Sequence, residues 1–479
     1  MKLKLFKYNY FDYEMNFLFE EIRKLGGIVL NNNDDAYIEV DNLTIDNAMK
    51  LTYVEEVSHN NETYITTQAQ REPINGKNSV KLQSTKYGPH GLHDYKGKFN
   101  PQTPRSLLIQ NFDLNKASVL DPFMGSGTTV IEARSLGLNA FGVELNPFAY
   151  EIARSKILFE ELKCLPEVDF SRKPKNKIDH PHENYLRKWF ADKQYDDLMI
   201  ALGIINEYDE DTQTILKTIL SDQIRNNSMQ DPRDLRIRRL KELPTESNLL
   251  IDFEKRYAHL KTVHKRWIDL NGTQKKYAKI LNTSSENLSE IIREKIDGTV
   301  SSPPYFSALP YVDTYRLSSV AFNLIDPDAI NKTERALIGA RDITKLEIEV
   351  IKKLGLKLPK SIQELSNHII KKLKEDSDAG FRKQAVPFNL LRYCNSMQNV
   401  LQSIYNIEKP EAINLWVVGT NKTTLSGEII VIDTPQIIAD LAKAVGFKNI
   451  ELETVDAYNR YDIHSKNSIR HEYVVKFSR

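Results

Sequence analysis

The chain has 479 residues, with 66 Lys and Arg against 65 Asp and Glu, 41% hydrophobic and 27% charged. That length suggests about three domains and enough core for an enzyme. The near-zero net charge of +1 excludes a histone-like, tail-driven binder, so any nucleic-acid contact must come from a local basic face.

No run approaches the roughly 18 apolar residues of a membrane span, and mean hydropathy is −0.47. The start, Met1 to Phe6, lacks the apolar stretch of a signal peptide. Two cysteines, Cys164 and Cys394, exclude a disulfide framework and a Cys-rich zinc site. A cytoplasmic protein with no membrane partner and no metal is expected.

Leu3 to Tyr10 has a strand-like pattern, and Glu14 to Leu25 the apolar spacing of a helix that Gly26-Gly27 ends. Ile28-Val29-Leu30 and Ala36 to Val40 predict two strands around the polar turn Asn31 to Asp35. Residues 1–75 are therefore expected to form a small α/β domain, with polar Gln68 to Thr85 as a linker. From Lys86 to Lys156 strand and helix patterns alternate, as in an α/β fold with a parallel sheet. Residues 157–272 turn to charged helical periodicity, for example Tyr195 to Ile205 and Thr212 to Ile224. Strand signals return at Ala278 to Leu281, Gly298 to Ser301 and Ile413 to Val418, and Gly446 to Ser478 reads as closing strands. The simplest account is one α/β domain, 86–156 completed by 273–479, with a helical insertion.

The apolar run Ala117 to Leu120 enters Asp121-Pro122-Phe123-Met124-Gly125-Ser126-Gly127-Thr128-Thr129, and a helical pattern follows. A Walker A loop needs a Lys before its terminal Ser/Thr, and a dinucleotide fingerprint a small residue where this chain has Val130. Both are eliminated by residue type. The next strand, Ala140 to Val143, ends in Glu144, where a ribose-binding acid sits in nucleoside-binding α/β folds. A tight turn and a solvated Glu would use the same residues. Loop and acid in register favour a nucleoside-type cofactor that is neither a triphosphate nor NAD.

The second informative stretch is Val300-Ser301-Ser302-Pro303-Pro304-Tyr305-Phe306. Two prolines after a strand fix the backbone and leave carbonyls without local donors. Such a rigid acceptor array suits a planar base presenting an amino group. Ser302 Oγ and the Pro303 carbonyl would accept the two amine hydrogens, and Tyr305 would stack on the ring. Accepting those hydrogens turns the nitrogen lone pair out of conjugation.

The segments 121–129, Gly142-Val143-Glu144-Leu145-Asn146-Pro147 and Ser302-Pro303-Pro304-Tyr305 together resemble the S-adenosylmethionine-dependent DNA amino-methyltransferases. The resemblance implies a Rossmann-like methyltransferase sheet. Asp121 with Gly125 and Gly127 would hold the methionine end and Glu144 the ribose, with Phe123, Thr128, Thr129 and Asn146 as flanking contacts. His93 to Pro104 is similar to the motif that lines the methionine side, where Lys98 and Phe99 are the candidates. The catalytic set would be Ser302, Pro303, Pro304 and Tyr305. Its Ser-Pro-Pro-Tyr form is most typical of N4-cytosine enzymes, and N6 of adenine is the other target. Methylation of cytosine C5 needs a cysteine after a proline. Cys164 follows Lys163 and Cys394 follows Tyr393, so no covalent intermediate is expected. The acid usually found after the third strand is replaced here by Leu281-Asn282, and Asn282 remains able to bond an adenine amine.

The implied partners are double-stranded DNA and a cognate restriction endonuclease. Within the insertion, Arg233, Arg236, Arg238, Arg239 and Lys241 are expected on about two helical turns, able to neutralise phosphates. A solvated helix face is the plainer reading of the same residues. Two rivals stand beside a DNA enzyme. One is a tRNA guanine-N2 methyltransferase, whose start the N-terminal unit ending in Leu51-Thr52-Tyr53-Val54 faintly resembles. The other is a methylase-like scaffold that binds nucleic acid without turnover.

Overall fold

The computed structural model describes residues 1–34, 36–71, 83–172, 178–232, 234, 237–242, 247–274, 276–307, 309–456 and 471–479. The N-terminal unit is a five-stranded antiparallel sheet in the order β2-β3-β1-β4-β5. Its strands are β1 (Lys2–Leu5), β2 (Ile28–Asp34), β3 (Tyr37–Asp41), β4 (Val54–His59) and β5 (Glu62–Ile65). The helix Asp12–Lys24 lays Tyr13, Phe17, Leu18 and Ile22 on this sheet against Leu3, Leu5, Ile38, Val40 and Val57. Full burial of each such side chain contributes roughly 1.5–3 kcal/mol. The sequence reading missed β4 and β5, and β1 stops at Leu5. In β4 the inward residues Val54 and Val57 are three apart rather than two, a spacing that does not read as a strand. The expected linker also starts late, because Thr67–Arg71 is helical.

The second sheet has seven strands in the order β13-β14-β10-β9-β6-β7-β8. They are β6 (Ser118–Asp121), β7 (Asn139–Val143), β8 (Ala278–Leu281), β9 (Ile296–Ser301), β10 (Glu408–Gly419), β13 (Lys448–Asp456) and β14 (His471–Ser478). A separate hairpin follows β10, formed by β11 (Asn421–Leu425) and β12 (Glu428–Ile432). From β8 through β10 the pairs are parallel, and β14 runs antiparallel between β10 and β13. Both faces are covered. Val119, Leu415 and Val417 face the core shared with the N-terminal unit, while Leu120, Trp416 and Val418 face helices Phe381–Ile407 and Thr434–Val445. That period-two alternation, apolar on both sides, marks a buried parallel sheet. At Gly298 a Cβ would fall 1.9 Å from the Ile413 carbonyl oxygen, so only glycine lets β9 and β10 approach here.

The chain builds outward from β6 to β7 and β8, then returns to β9 on the other side of β6. Connections from the carboxyl ends of β6 and β9 therefore diverge and open a crevice between them. Two helical insertions flank it. The first lies between β7 and β8 and packs helices Asp192–Ile205, Glu210–Ile224 and Leu249–Asn271 around a third core with Phe159, Leu198, Ile219 and Phe253. The second lies between β9 and β10, where Lys345–Gly355 and Lys360–Glu375 lean on Phe381–Ile407. The sequence reading did not separate this second insertion from the sheet. Among the described residues no helix is long and apolar enough to cross a membrane.

Candidate active site

At the end of β6, Asp121 is 3% exposed. Its Oδ1 accepts from the Phe123 N–H at 3.0 Å and from Ser301 Oγ at 2.6 Å. The two central strands are thus tied at their carboxyl ends. Burial pushes the Asp121 carboxyl up to about 6, against the lowering effect of the Ser301 hydroxyl. The loop then turns through Gly125 and Gly127, at φ +50° and +79°. A Cβ at Gly127 would meet Ala153 Cβ at 2.9 Å, so this glycine both bends the chain and lets helix Thr128–Ser135 start against its neighbour.

Glu144, at the end of β7, reaches across to this loop. Its Oε2 accepts from the Gly125 N–H at 3.0 Å and its Oε1 from the Asn146 N–H at 2.7 Å. Burial pushes it up to about 7, and the nearby Asp121 charge adds to the rise. Asn146 Oδ1 in turn caps helix Pro147–Glu161 through the Phe148 N–H. Asn282 donates its amide to the carbonyls of Glu144 and Leu145 and so fixes the strand end that carries the acid.

One cleft with two arms results. Glu144, Asn146, Phe123 and Gly125 line the wider arm, together with Ser284 and Ser285. Lys98, Phe99, Asp121 and Thr128 line the narrower one, again with Phe123 and Gly125. Ser302 faces both arms. Gly127 and Thr129 are not among the lining residues and support the loop from behind. Lys98 Nζ donates to the carbonyls of Thr85 and His90. Below the loop, buried Lys156 donates to Ser126 Oγ at 3.1 Å, and burial holds it well below the usual lysine range. The Thr128 hydroxyl is buried and has no partner among the described residues.

The tetrapeptide is held by distant side chains. The Tyr393 hydroxyl donates to the Pro304 carbonyl at 3.0 Å, and the Tyr305 hydroxyl to Glu472 Oε1 at 2.6 Å. Burial, then the Glu472 charge, raises Tyr305 well above the ordinary tyrosine range. Pro304 lines the wider arm, whereas Pro303 and Tyr305 line neither. Two residues on, Ser307 sits at φ +58°, a strained position for a non-glycine residue. Its carbonyl accepts two bonds from the Arg341 guanidinium, at 3.0 and 2.7 Å. Sequence reasoning missed Tyr95 and Tyr311, which line the wider arm with parallel rings 6.3 Å apart. Tyr95 lay inside the quoted 93–104 motif, but only the fold brings Tyr311 to it.

The basic stretch departs from expectation. Arg233 and Arg236 lie outside the described residues. Arg238, Arg239 and Lys241 are exposed and not helical, and Arg239 instead forms a β-bridge with Gln230. Pro232 and the lack of an apolar stripe remove what a helix would need here. Arg239 Nε donates to the Lys188 carbonyl, and the Ile237 N–H to Asp313 Oδ2 on the short helix Tyr311–Thr314. The stretch is therefore joined to the segment that follows the tetrapeptide. Among the described residues no group of three or more His, Cys, Asp or Glu is arranged to hold a metal ion.

The strand order, the single antiparallel strand and the glycine loop at the switch point define an α/β, Rossmann-like methyltransferase fold. The family described as DNA methylase, of the N6/N4 methyltransferases, matches residues 13–155. The chain is 23% identical over 389 residues to the type II methyltransferase M.MvaI of Kocuria varians, covering 75% of this chain and 82% of that protein. To the type II methyltransferase M.BsoBI of Geobacillus stearothermophilus it is 24% identical over 447 residues, 82% and 85% of the two chains. A shorter match, 33% over 116 residues, links it to M.MjaII of Methanocaldococcus jannaschii, covering 21% of this chain and 22% of that one. These matches make the chain similar to the DNA amino-methyltransferases of the N4/N6 type.

Proposed function

We propose that the protein transfers a methyl group from S-adenosylmethionine to the exocyclic amine of a base in double-stranded DNA, N4 of cytosine ahead of N6 of adenine. A restriction–modification setting with a cognate endonuclease goes with that reading. The observation that carries it is one cleft, lined by Gly125 and Glu144 and by Ser302, at strand ends locked through Ser301 and Asp121. The residues present fit the cofactor. Asp121 and Glu144 set negative charge beside a ligand of net positive charge, and the unpartnered Thr128 hydroxyl lines the arm that would take the methionine end. When bound, S-adenosylmethionine supplies an electrophilic methyl group.

The chain's own residues do the rest. A base must leave the duplex to reach Ser302, so flipping is required. Ser302 Oγ and the Pro303 carbonyl accept the amine hydrogens and turn the lone pair outward. The displaced proton leaves along those hydrogen bonds to solvent. Glu472 fixes the Tyr305 ring for stacking, and rate follows from holding both reactants in attack geometry. In this reading the first helical insertion, 157–272, contributes to DNA recognition through Arg238, Arg239 and Lys241, and residues 1–75 are a separate small domain.

The test is mass spectrometry of nucleosides from DNA and tRNA incubated with the protein and methyl-labelled S-adenosylmethionine. Label in N4-methylcytosine is expected. Label in N6-methyladenine would move the target to adenine, and label only in a tRNA guanine would overturn the DNA assignment.

A further inference from the structure

We propose that a second cavity, between the first helical insertion and the segment 86–96, is a nucleotide site that takes a phosphate-bearing unit of the DNA beside the reacting base. The nucleic-acid source rests on the function proposed above, while the chemistry rests on the cavity. Its volume is about 500 Å³. Tyrosine stacking links it to the Ser302 cleft. The Tyr95 ring stacks with Tyr311, which lines the cleft, and with Tyr315, which lines the cavity, with centroids 6.3 and 5.1 Å away and both pairs 13° from parallel.

Four cationic side chains, Lys86, Lys96, Arg225 and Arg256, line this cavity with two carboxylates, Asp94 and Asp222. Each carboxylate is already engaged. Asp94 holds Lys86 at 3.1 Å and Lys96 at 3.0 Å, and Asp222 holds Arg256 at 3.2 Å. The Arg225 guanidinium donates to the main-chain carbonyls of Asp231 and Asp234, and the charges of these two residues act on it as well. Lys86 and Lys96 share the single carboxylate of Asp94, so this corner keeps one positive charge, which suits a phosphate.

His93 supplies an independent sign of a ligand. It is 2% exposed, lines the cavity, and neither ring nitrogen has a hydrogen-bond partner among the described residues. Burial drops it to about 4, so the ring is neutral at pH 7 and offers one donor and one acceptor. Such a pair, next to the Tyr315 ring at 5.6 Å, matches the polar edge of a base. A buried polar ring left unpaired calls for a missing partner.

The mouth adds the source. Pro232 lines it, and the chain continues into exposed Arg238, Arg239 and Lys241, tied through Ile237 to the helix beyond the tetrapeptide. A DNA strand lying on this basic segment meets the cavity and the cleft in succession.

The test is photolabelling of the full chain with 8-azido-dAMP while S-adenosylhomocysteine fills the cofactor arms, with the adduct located by peptide mass spectrometry. Label on peptides carrying His93, Tyr315 or residues 221–230, displaced by a 30-base-pair duplex, is expected. Asn226→Trp, an exposed position on the lining, should cut labelling at least tenfold with S-adenosylhomocysteine affinity unchanged. Lys86→Glu should cut it about fivefold. Label confined to peptides 302–311, or unaltered by Asn226→Trp, overturns the site. Label displaced by free dAMP but not by duplex overturns the DNA source. Methyl transfer is read separately, so its failure condemns the functional reading and leaves the cavity to be judged by the label alone.

Discussion

The two strand ends that make the cleft are held in opposite ways. At β6 and β7 the restraints are local: Asp121, the glycine loop, Glu144 and Asn146 bond to one another within 26 residues of chain, mostly through backbone N–H groups. At β9 the tetrapeptide hangs on side chains brought from far away, Tyr393 on the helix Phe381–Ile407 and Glu472 on β14. Ser301, which reaches back to Asp121, joins the two systems directly at the strand ends. A glycine-loop arm built locally can form whenever its own segment folds. A tetrapeptide hung on remote anchors is correct only when the whole sheet is.

Breaking the joint should have the largest effect. Asp121→Ala removes the acceptor shared by Ser301 and the loop, and S-adenosylhomocysteine affinity in calorimetry should fall at least 100-fold together with transfer. If transfer alone fell, the two ends would be independent of each other. Glu472→Ala acts on the remote side only. Loss of a buried charge-assisted bond of about 2 kcal/mol should lower kcat about 30-fold, with S-adenosylhomocysteine affinity unchanged. An equal fall in both would place Glu472 in the cofactor system.

The local side should respond to pH. With Glu144 pushed up to about 7, the carboxylate proposed to accept the ribose hydroxyls is mostly protonated at pH 6 and mostly ionised at pH 8. Cofactor affinity should therefore drop about tenfold from pH 8 to pH 6, and Glu144→Gln should flatten that profile. The stability sign is opposite. The folded-state values of Glu144 and Asp121 lie above those of the unfolded chain, so the folded protein binds more protons and their contribution declines as pH rises toward 7. A stability that rose over that window in a wild-type minus Glu144→Gln comparison would contradict the shift. The smallest effect is expected from Tyr393→Phe, which deletes one hydrogen bond to Pro304 and should cost about fivefold in kcat.

The same contrast decides what the sequence could tell. Asp121 to Thr129 and Glu144 were legible because their partners lie along the same short stretch, in an order that turn chemistry and strand endings reveal. Ser302 to Tyr305 was legible as a rigid acceptor array, but its anchors were not, since nothing in the letters joins Tyr305 to Glu472 or Ser307 to Arg341. The parallel strands announced themselves as apolar runs. The strands β4 and β5 did not, because β4 buries residues three apart and β5 is mostly exposed, so neither alternates. The basic residues 238–241 carry the right charge in the wrong conformation: charge is a property of composition, whereas helix formation needs an apolar face to bury.

The antiparallel strand β14 has a consequence for biosynthesis. It slots between β10 and β13, both of which emerge from the ribosome earlier, and it brings Glu472 with it. Until residues 471–478 are available, the facing edges of β10 and β13 lack their partner and the Tyr305 ring has no anchor. A nascent chain can complete its glycine loop long before its tetrapeptide is set, so the two halves of the cleft mature at different times.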